Sequence, residues 1–277
     1  MIQLTNVSFG YRRQKPVLQE INLEIKPGNI YGLLGKNGEG KTTLLNIMSG
    51  LLFPDKGECL VFNEMPEKRK AHFLQNIFLL PEEINLPDVT GQEYIKMFAP
   101  FYPTFSNEIF EACKESFDID LTAPLRKMSL GQKKKAAIML ALSANTPLLL
   151  MDEPTNGLDI PSKSIFRKLL ASHISEEQTV IISTHQVRDL ESLIDSVIIL
   201  DRKEILFNKP LDEISRKLDF RKVETEEASF YSEPSPSGTV GVVVNDTAEK
   251  SIVSLELLFN AATSSASRSK IKDIINH

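Results

Sequence analysis

An α/β fold with a mostly parallel core sheet, an antiparallel β portion, a helical insertion and a small C-terminal accessory region is the architecture this sequence predicts. Three observations carry it. Leu148-Leu149-Leu150-Met151 and Val180-Ile181-Ile182-Ser183 are continuous apolar runs, as in parallel strands buried on both faces. A helical pattern at residues 162 to 173 lies between them, giving the order of a β-α-β unit. Residues 90 to 145 read as helices broken at Pro100, Pro103 and Pro124.

In chain order, Ile2-Gln3-Leu4 and Ile21-Asn22-Leu23-Glu24-Ile25 alternate apolar with polar, the second ahead of a Pro27-Gly28 turn. Ile30-Tyr31-Gly32-Leu33-Leu34 reads as a strand and Leu44-Leu45-Asn46-Ile47-Met48 as a helix start, closed by Gly50 and Pro54. A strand follows at 58–62, then a charged helix at 66–76, and Asn76-Ile77-Phe78-Leu79-Leu80 is a short buried strand ended by Pro81. Ser196-Val197-Ile198-Ile199-Leu200 and Glu204-Ile205-Leu206-Phe207 close the core. Beyond Leu218 the composition shifts to Glu, Ser, Pro and Thr, with a turn at Ser235-Pro236-Ser237-Gly238 between strands expected at 228–232 and 239–244. Leu255, Leu258, Phe259 and Ala262 have helical spacing. A disordered linker plus helix is one reading of this tail. Phe230, Tyr231 and Val242-Val243-Val244 favour the other, an accessory domain with apolar surface to bury. The expected division is 1–217, with the insertion at about 83–145, and 218–277.

At 277 residues, 42% hydrophobic, the chain can bury one large core plus an appendage. A net charge of -5 gives no electrostatic footprint for nucleic acid, so no nucleic-acid partner is expected. With only Cys59 and Cys113, a disulfide framework is not expected, and both read as buried hydrophobes in a reducing compartment. No signal peptide is read at the N-terminus, and no run reaches the ~18 apolar residues of a membrane span. A soluble chain is expected, reaching a membrane only through a partner.

Gly35-Lys36-Asn37-Gly38-Glu39-Gly40-Lys41-Thr42-Thr43 matches G-x-x-x-x-G-K-[ST] between a strand and a helix, the context that gives this pattern its meaning. Glycines let backbone N–H groups curl around phosphate oxygens, and the helix N-terminus adds partial positive charge. Lys41 is expected to reach the β- and γ-phosphates and Thr42 to ligate Mg2+. A plain glycine turn is the bland alternative. Downstream, Asp152-Glu153 sits at the C-terminal end of a buried strand, where open α/β sheets bind ligands. Asp152 suits Mg2+, directly or through water, and Glu153 suits a general base for an attacking water. The alternative is an acidic pair stabilising the dipole of the next helix.

The run Asp152-Glu153-Pro154-Thr155-Asn156-Gly157-Leu158-Asp159 resembles the catalytic-glutamate and D-loop sequence of the nucleotide-binding subunits of ATP-binding cassette (ABC) proteins. Met128-Ser129-Leu130-Gly131-Gln132 resembles their signature motif, His185 their switch histidine, and Tyr11 the aromatic that stacks on adenine. The resemblance covers about residues 1 to 215, with six motifs in the family order. It implies a P-loop NTPase of the ABC ATPase type, with ATP and Mg2+ as cofactors. Ser129, Gly131, Gln132 and Asp159 are then nucleotide-contacting residues offered across a dimer interface, and His185 holds the γ-phosphate. Each has a plainer rival: Tyr11 an ordinary strand aromatic, His185 a turn cap, Ser129 a helix cap, and Lys133-Lys134-Lys135 a solvated face.

Three positions depart from that pattern. Glu39 stands where the family has a small residue, with its side chain expected to point outward. Leu130 replaces the first glycine of Ser-Gly-Gly. Glu82 replaces the Q-loop glutamine and is expected to approach Mg2+.

The resemblance implies an ATPase subunit that closes head to tail with a second cassette, most simply another copy. It would power separately encoded membrane subunits, with features of the export branch. Such a chain would be cytoplasmic and peripheral on the inner face of the cell membrane. A soluble ABC ATPase acting on ribosomes or DNA is the competing reading, and a small-molecule kinase a third.

Overall fold

The fold, a computed structural model, describes residues 1–11, 16–223, 229–236, 238–247 and 249–276. Strands β1 (Ile2–Phe9) and β2 (Leu18–Ile25) form a hairpin, and β3 (Ile30–Leu34) runs into helix α1 (Lys41–Met48). Strand β4 (Lys56–Val61) follows. The charged stretch at 66–76 is broken into a 3-10 turn, Pro66–Lys68, and a short helix α2 (Ala71–Gln75), because Arg69 takes φ 44°, outside the helical region. Then come β5 (Ile77–Leu80) and the insertion, with α3 (Gly91–Phe98), α4 (Asn107–Phe117) and α5 (Leu130–Ser143). The core ends with β6 (Leu148–Asp152), α6 (Ile160–His173), β7 (Thr179–Thr184), β8 (Ser196–Asp201), β9 (Glu204–Pro210) and α7 (Leu211–Lys217).

The main sheet has the order β5-β6-β7-β3-β8-β9, parallel except for β9. Every residue of β6, β7 and β8 is buried, which is why these strands carry no alternation in sequence. Their side chains split between two cores. Leu148, Leu150, Ile181, Ile198 and Leu200 face α1 and the antiparallel sheet β2-β1-β4. Leu149, Met151, Val180, Ile182 and Ile199 face the insertion and α6. Phe166 of α6, fully buried in this second core, contributes about 3 kcal/mol relative to an exposed side chain.

The tail is folded. Strands β10 (Leu218–Lys222), β11 (Tyr231–Ser235) and β12 (Gly238–Val244) form an antiparallel sheet in the order β10-β12-β11. The strand expected at 228–232 begins later, at Tyr231, and extends through Pro234; residue 228 lies outside the described residues. Proline is tolerated there because β11 is an edge strand. Two helices complete the chain, α8 (Leu255–Thr263) as expected and α9 (Arg268–Asn276), which the sequence pattern missed. Leu255, Leu258, Ile271 and Ile275 are buried in the same core as Phe166 and Ile199, so the tail covers apolar surface of the main body.

Candidate functional site

Strands β6, β7 and β3 are neighbours and in register: Asp152 pairs with Ser183, and Thr184 with Leu34. Their C-terminal ends therefore stop side by side, placing the Asp152-Glu153 pair beside the loop after β3 in one cleft of about 300 Å3, with His185 meeting Glu153 just beyond β7. Lys36, Asn37, Gly38, Gly40, Lys41, Thr42 and Thr43 line this cleft, as do Tyr11 and Glu82. Gly40 takes φ 105° as it hands the loop to α1, a left-handed conformation that favours glycine.

Lys41 is buried, and its ammonium donates to the Gly35 carbonyl at 2.7 Å. It lies 3.5 Å from Glu153 Oε1, the same oxygen that His185 Nδ1 approaches at 2.8 Å. The other carboxylate oxygen, Glu153 Oε2, is buried with no hydrogen-bond partner among the described residues. Glu153 also holds φ 44°, a strained conformation for a residue with a side chain. Its N–H donates to Ser183 O at 3.1 Å and to Ser183 Oγ at 3.2 Å, which fixes that turn.

The Thr42 hydroxyl donates to Asp152 Oδ2 at 2.6 Å, and the Ser183 hydroxyl donates to Asp152 Oδ1. Among the described residues no cluster of three or more His, Cys, Asp or Glu side chains gathers to hold a metal. One hydroxyl beside one buried carboxylate nevertheless fits Mg2+, a hard ion that keeps several waters and takes phosphate oxygens. Glu82 lies at the edge of the same cleft, with Oε1 accepting from Asn156 Nδ2 at 2.9 Å. Asn156 Oδ1 in turn accepts from Gln186 at 3.4 Å, so the residue at 82 is joined to the loop after β6 and the segment after β7.

Glu39 does not line the cleft. Its carboxylate accepts from the Lys203 backbone N–H at 3.4 Å, so the added negative charge is turned toward the β8–β9 turn. Tyr11 stands at the cleft mouth, 43% exposed, its hydroxyl 3.2 Å from Thr43 Oγ1 and its ring edge-on to Phe9.

Ser129, Gly131, Gln132 and Asp159 do not line this chain's own cleft. Ser129 and Gln132 form a reciprocal capping box at the start of α5, worth about 1 kcal/mol. Asp159 caps α6 by accepting from the Ser162 N–H at 2.9 Å. The Ser162 hydroxyl and then this N–H hold the Asp159 carboxyl below its ordinary range. Leu130, 65% exposed, lies against Gly157, so the first turn of α5 and the loop after β6 make one continuous surface.

The lysine run is not a solvated face throughout. Lys134 is 1% exposed and donates to the Glu82 carbonyl at 3.0 Å. Burial pushes its ammonium down from its ordinary value, while Glu82, Asp152 and Glu153 pull it back up. Three consecutive lysines concealed this, since periodicity places only one of them inward. Ser183 was also missed as a site residue. Its signal was a polar side chain ending an apolar strand opposite Asp152.

The sequence profile of the ABC transporter family matches residues 18–156. The ABC transporter ATP-binding protein NatA of Bacillus subtilis (strain 168) is 32% identical over 224 residues, spanning 77% of this chain and 91% of the relative. The bacitracin transport ATP-binding protein BcrA of Bacillus licheniformis is 31% identical over 221 residues, spanning 78% of this chain and 72% of the relative. Among solved structures, a dimeric ATP-binding cassette in a post-hydrolysis state bound to ADP and Pi aligns with a TM-score of 0.67 and 26% identity, covering 76% of this chain and 98% of that one.

Proposed function

Because the chain belongs to the ABC transporter family and is an ATPase of the ABC fold, we propose that it is the ATP-hydrolysing subunit of a membrane exporter, working as a head-to-tail homodimer. The observation that carries this is the convergence of Lys41 and His185 on Glu153 Oε1, beside Thr42 on Asp152. Glu153 takes a proton from water as the water attacks the γ-phosphate, the β–γ bond breaks and ADP leaves. Lys41 neutralises charge on the β- and γ-phosphates, and His185 orients the γ-phosphate. Thr42 and Asp152 would hold Mg2+, with Glu82 approaching it from the cleft edge. Once bound, the ion supplies further positive charge to the phosphates.

Ser129, Gly131, Gln132 and Asp159 are proposed to complete the site of the second copy, and Tyr11 to stack on adenine. The exposure of Ser129, Gln132 and Asp159 outside their own chain's cleft supports the shared-site reading. An apolar groove of about 410 Å3 lies between α2 and the insertion, lined by Leu74, Leu79, Phe98, Phe101 and Tyr102. Phe101 is 63% exposed and Leu51 54%. This groove supports docking of a separately encoded membrane subunit. No helix among the described residues is long and apolar enough to cross a membrane. We place the chain on the inner face of the cell membrane through that subunit, with 1–217 as the ATPase unit and 218–277 as its accessory region.

Relatives named as transporter ATP-binding proteins and a net charge of -5 favour this over a ribosome- or DNA-directed ATPase. The test is phosphate release from ATP with no added acceptor, together with co-purification from membranes. Release abolished by Lys41→Ala and capture of an integral membrane protein are expected. Co-purification with ribosomes, or a need for an acceptor substrate, would overturn the proposal.

A further inference from the structure

The segment that leaves His185 is not anchored by the ATPase core alone; the C-terminal region is built onto it. Val187–Asp189 forms a 3-10 turn, and Val187 and Leu190 are buried in the same core as Leu255 and Leu258 of α8. Glu191 Oε1 accepts from the backbone N–H of Leu255 at 2.7 Å. Leu255 is the first residue of α8, so a carboxylate from the His185 segment satisfies one of that helix's orphan donors and lies at the positive end of its dipole. Three residues before Glu191, Arg188 Nε meets Glu256 Oε2, on the residue after Leu255, at 2.6 Å. The Arg188 guanidinium is pushed up from its ordinary value by the Glu256 hydrogen bond and charge, with Glu191 and Glu233 adding to it.

The same region also reaches the end of β8, next to the turn that holds Glu39. Arg268, at the start of α9, pairs with Asp201 at 3.1 Å. Asp201 ends β8, whose turn into β9 supplies the Lys203 N–H that holds Glu39 of the phosphate loop. The exposed Arg188–Glu256 pair contributes little to global stability. It ties the segment just after His185 to the first turn of α8.

We propose that Glu191, supported by Arg188, is a positioning residue for hydrolysis: by capping α8 it holds the backbone that aims His185 at Glu153, making the C-terminal region a structural part of the catalytic site. This rests on reading Glu153 and His185 as the hydrolytic pair. The chain Glu191–Leu255, Val187/Leu190–Leu255/Leu258 and His185–Glu153 is continuous at hydrogen-bond or packing distance.

The experiment is steady-state ATP hydrolysis by the full chain and its Glu191→Ala, Glu191→Gln, His185→Ala and Glu191→Ala/His185→Ala variants, with thermal melting of each. Glu191→Ala is expected to lower kcat by about 10-fold at unchanged KM, within the range that misplacement of a reacting group produces. Glu191→Gln, whose amide oxygen still accepts the Leu255 N–H, should restore it. In the His185→Ala background Glu191→Ala should add no further loss, because its effect passes through the imidazole. Global destabilisation would instead lower melting and multiply with the His185→Ala defect. Full kcat in Glu191→Ala, or multiplicative losses in the double variant, overturns the proposal while leaving the hydrolytic pair intact. Wild-type hydrolysis by His185→Ala removes the pair itself, and the positioning role falls with it.

Discussion

His185 Nδ1 lies 2.8 Å from Glu153 Oε1, and Lys41 Nζ lies 3.5 Å from that same oxygen. One carboxylate oxygen thus serves a histidine from the end of β7 and a lysine from the start of α1, while its twin is buried and unpartnered among the described residues. In the proposed site, phosphate oxygens would compete with Glu153 for the Lys41 ammonium.

Glu153→Gln keeps the shape of the side chain and the acceptor for His185 but removes the proposed base. Hydrolysis should fall by roughly 10²–10⁴-fold with ATP binding retained. Phosphate release and equilibrium ATP binding, measured on the same preparation, check this. Loss of binding in parallel with rate would assign Glu153 to nucleotide affinity.

Lys134 is expected to leave a mark on alkaline stability. Its folded pKa lies below the unfolded value, so at pH values between the two the unfolded chain binds more protons. Stability from this group is therefore complete above the unfolded value of about 10.4 and is lost as pH falls through the depressed folded value. The melting temperature of the parent minus that of Lys134→Met should rise across this window. A flat difference would mean that the lysine is solvated.

Both thiols should be inert in the native state. Burial pushes Cys59 and Cys113 each up to about 12, leaving a negligible thiolate fraction at neutral pH. A thiol-specific chromogenic reagent at pH 8 should react only after denaturant is added. Fast labelling of the native protein would contradict the burial.

Truncation after Lys217 should cost stability as well as rate. Val242, Leu258, Ile271 and Ile275 cover the core that holds Ile199 and Leu206, and removing even one such side chain costs about 2–5 kcal/mol. Circular dichroism melting of the truncated chain should show a lower midpoint. An unchanged midpoint would make the tail an independent appendage.

The cleft was legible because its residues are sequence-local: the phosphate loop is one contiguous segment, and Asp152, Glu153 and His185 end two apolar runs that pair in register. What escaped reading depends on tertiary contact. Lys134 is told apart from Lys133 and Lys135 only by the loop carbonyl it meets at Glu82. Strand β10 was missed because Leu218–Lys222 follows a helix without a turn signal, and it is defined by pairing with β12 some twenty residues later. Helix α9 carries few apolar residues, and Ile271 and Ile275 become meaningful only once α9 packs against β9. Glu191 looks like any surface carboxylate until Leu255 comes to rest on it.

The central claim is that each hydrolytic site is shared between two copies, and complementation tests it most directly. Lys41→Ala spoils the phosphate loop, and Ser129→Arg spoils the exposed start of α5; each variant alone should be inactive. Mixed, they should form pairs in which one site draws an intact loop from the second variant and an intact α5 start from the first, so ATP hydrolysis should reappear. Full activity of Ser129→Arg alone, or no recovery at any mixing ratio, would contradict a shared site.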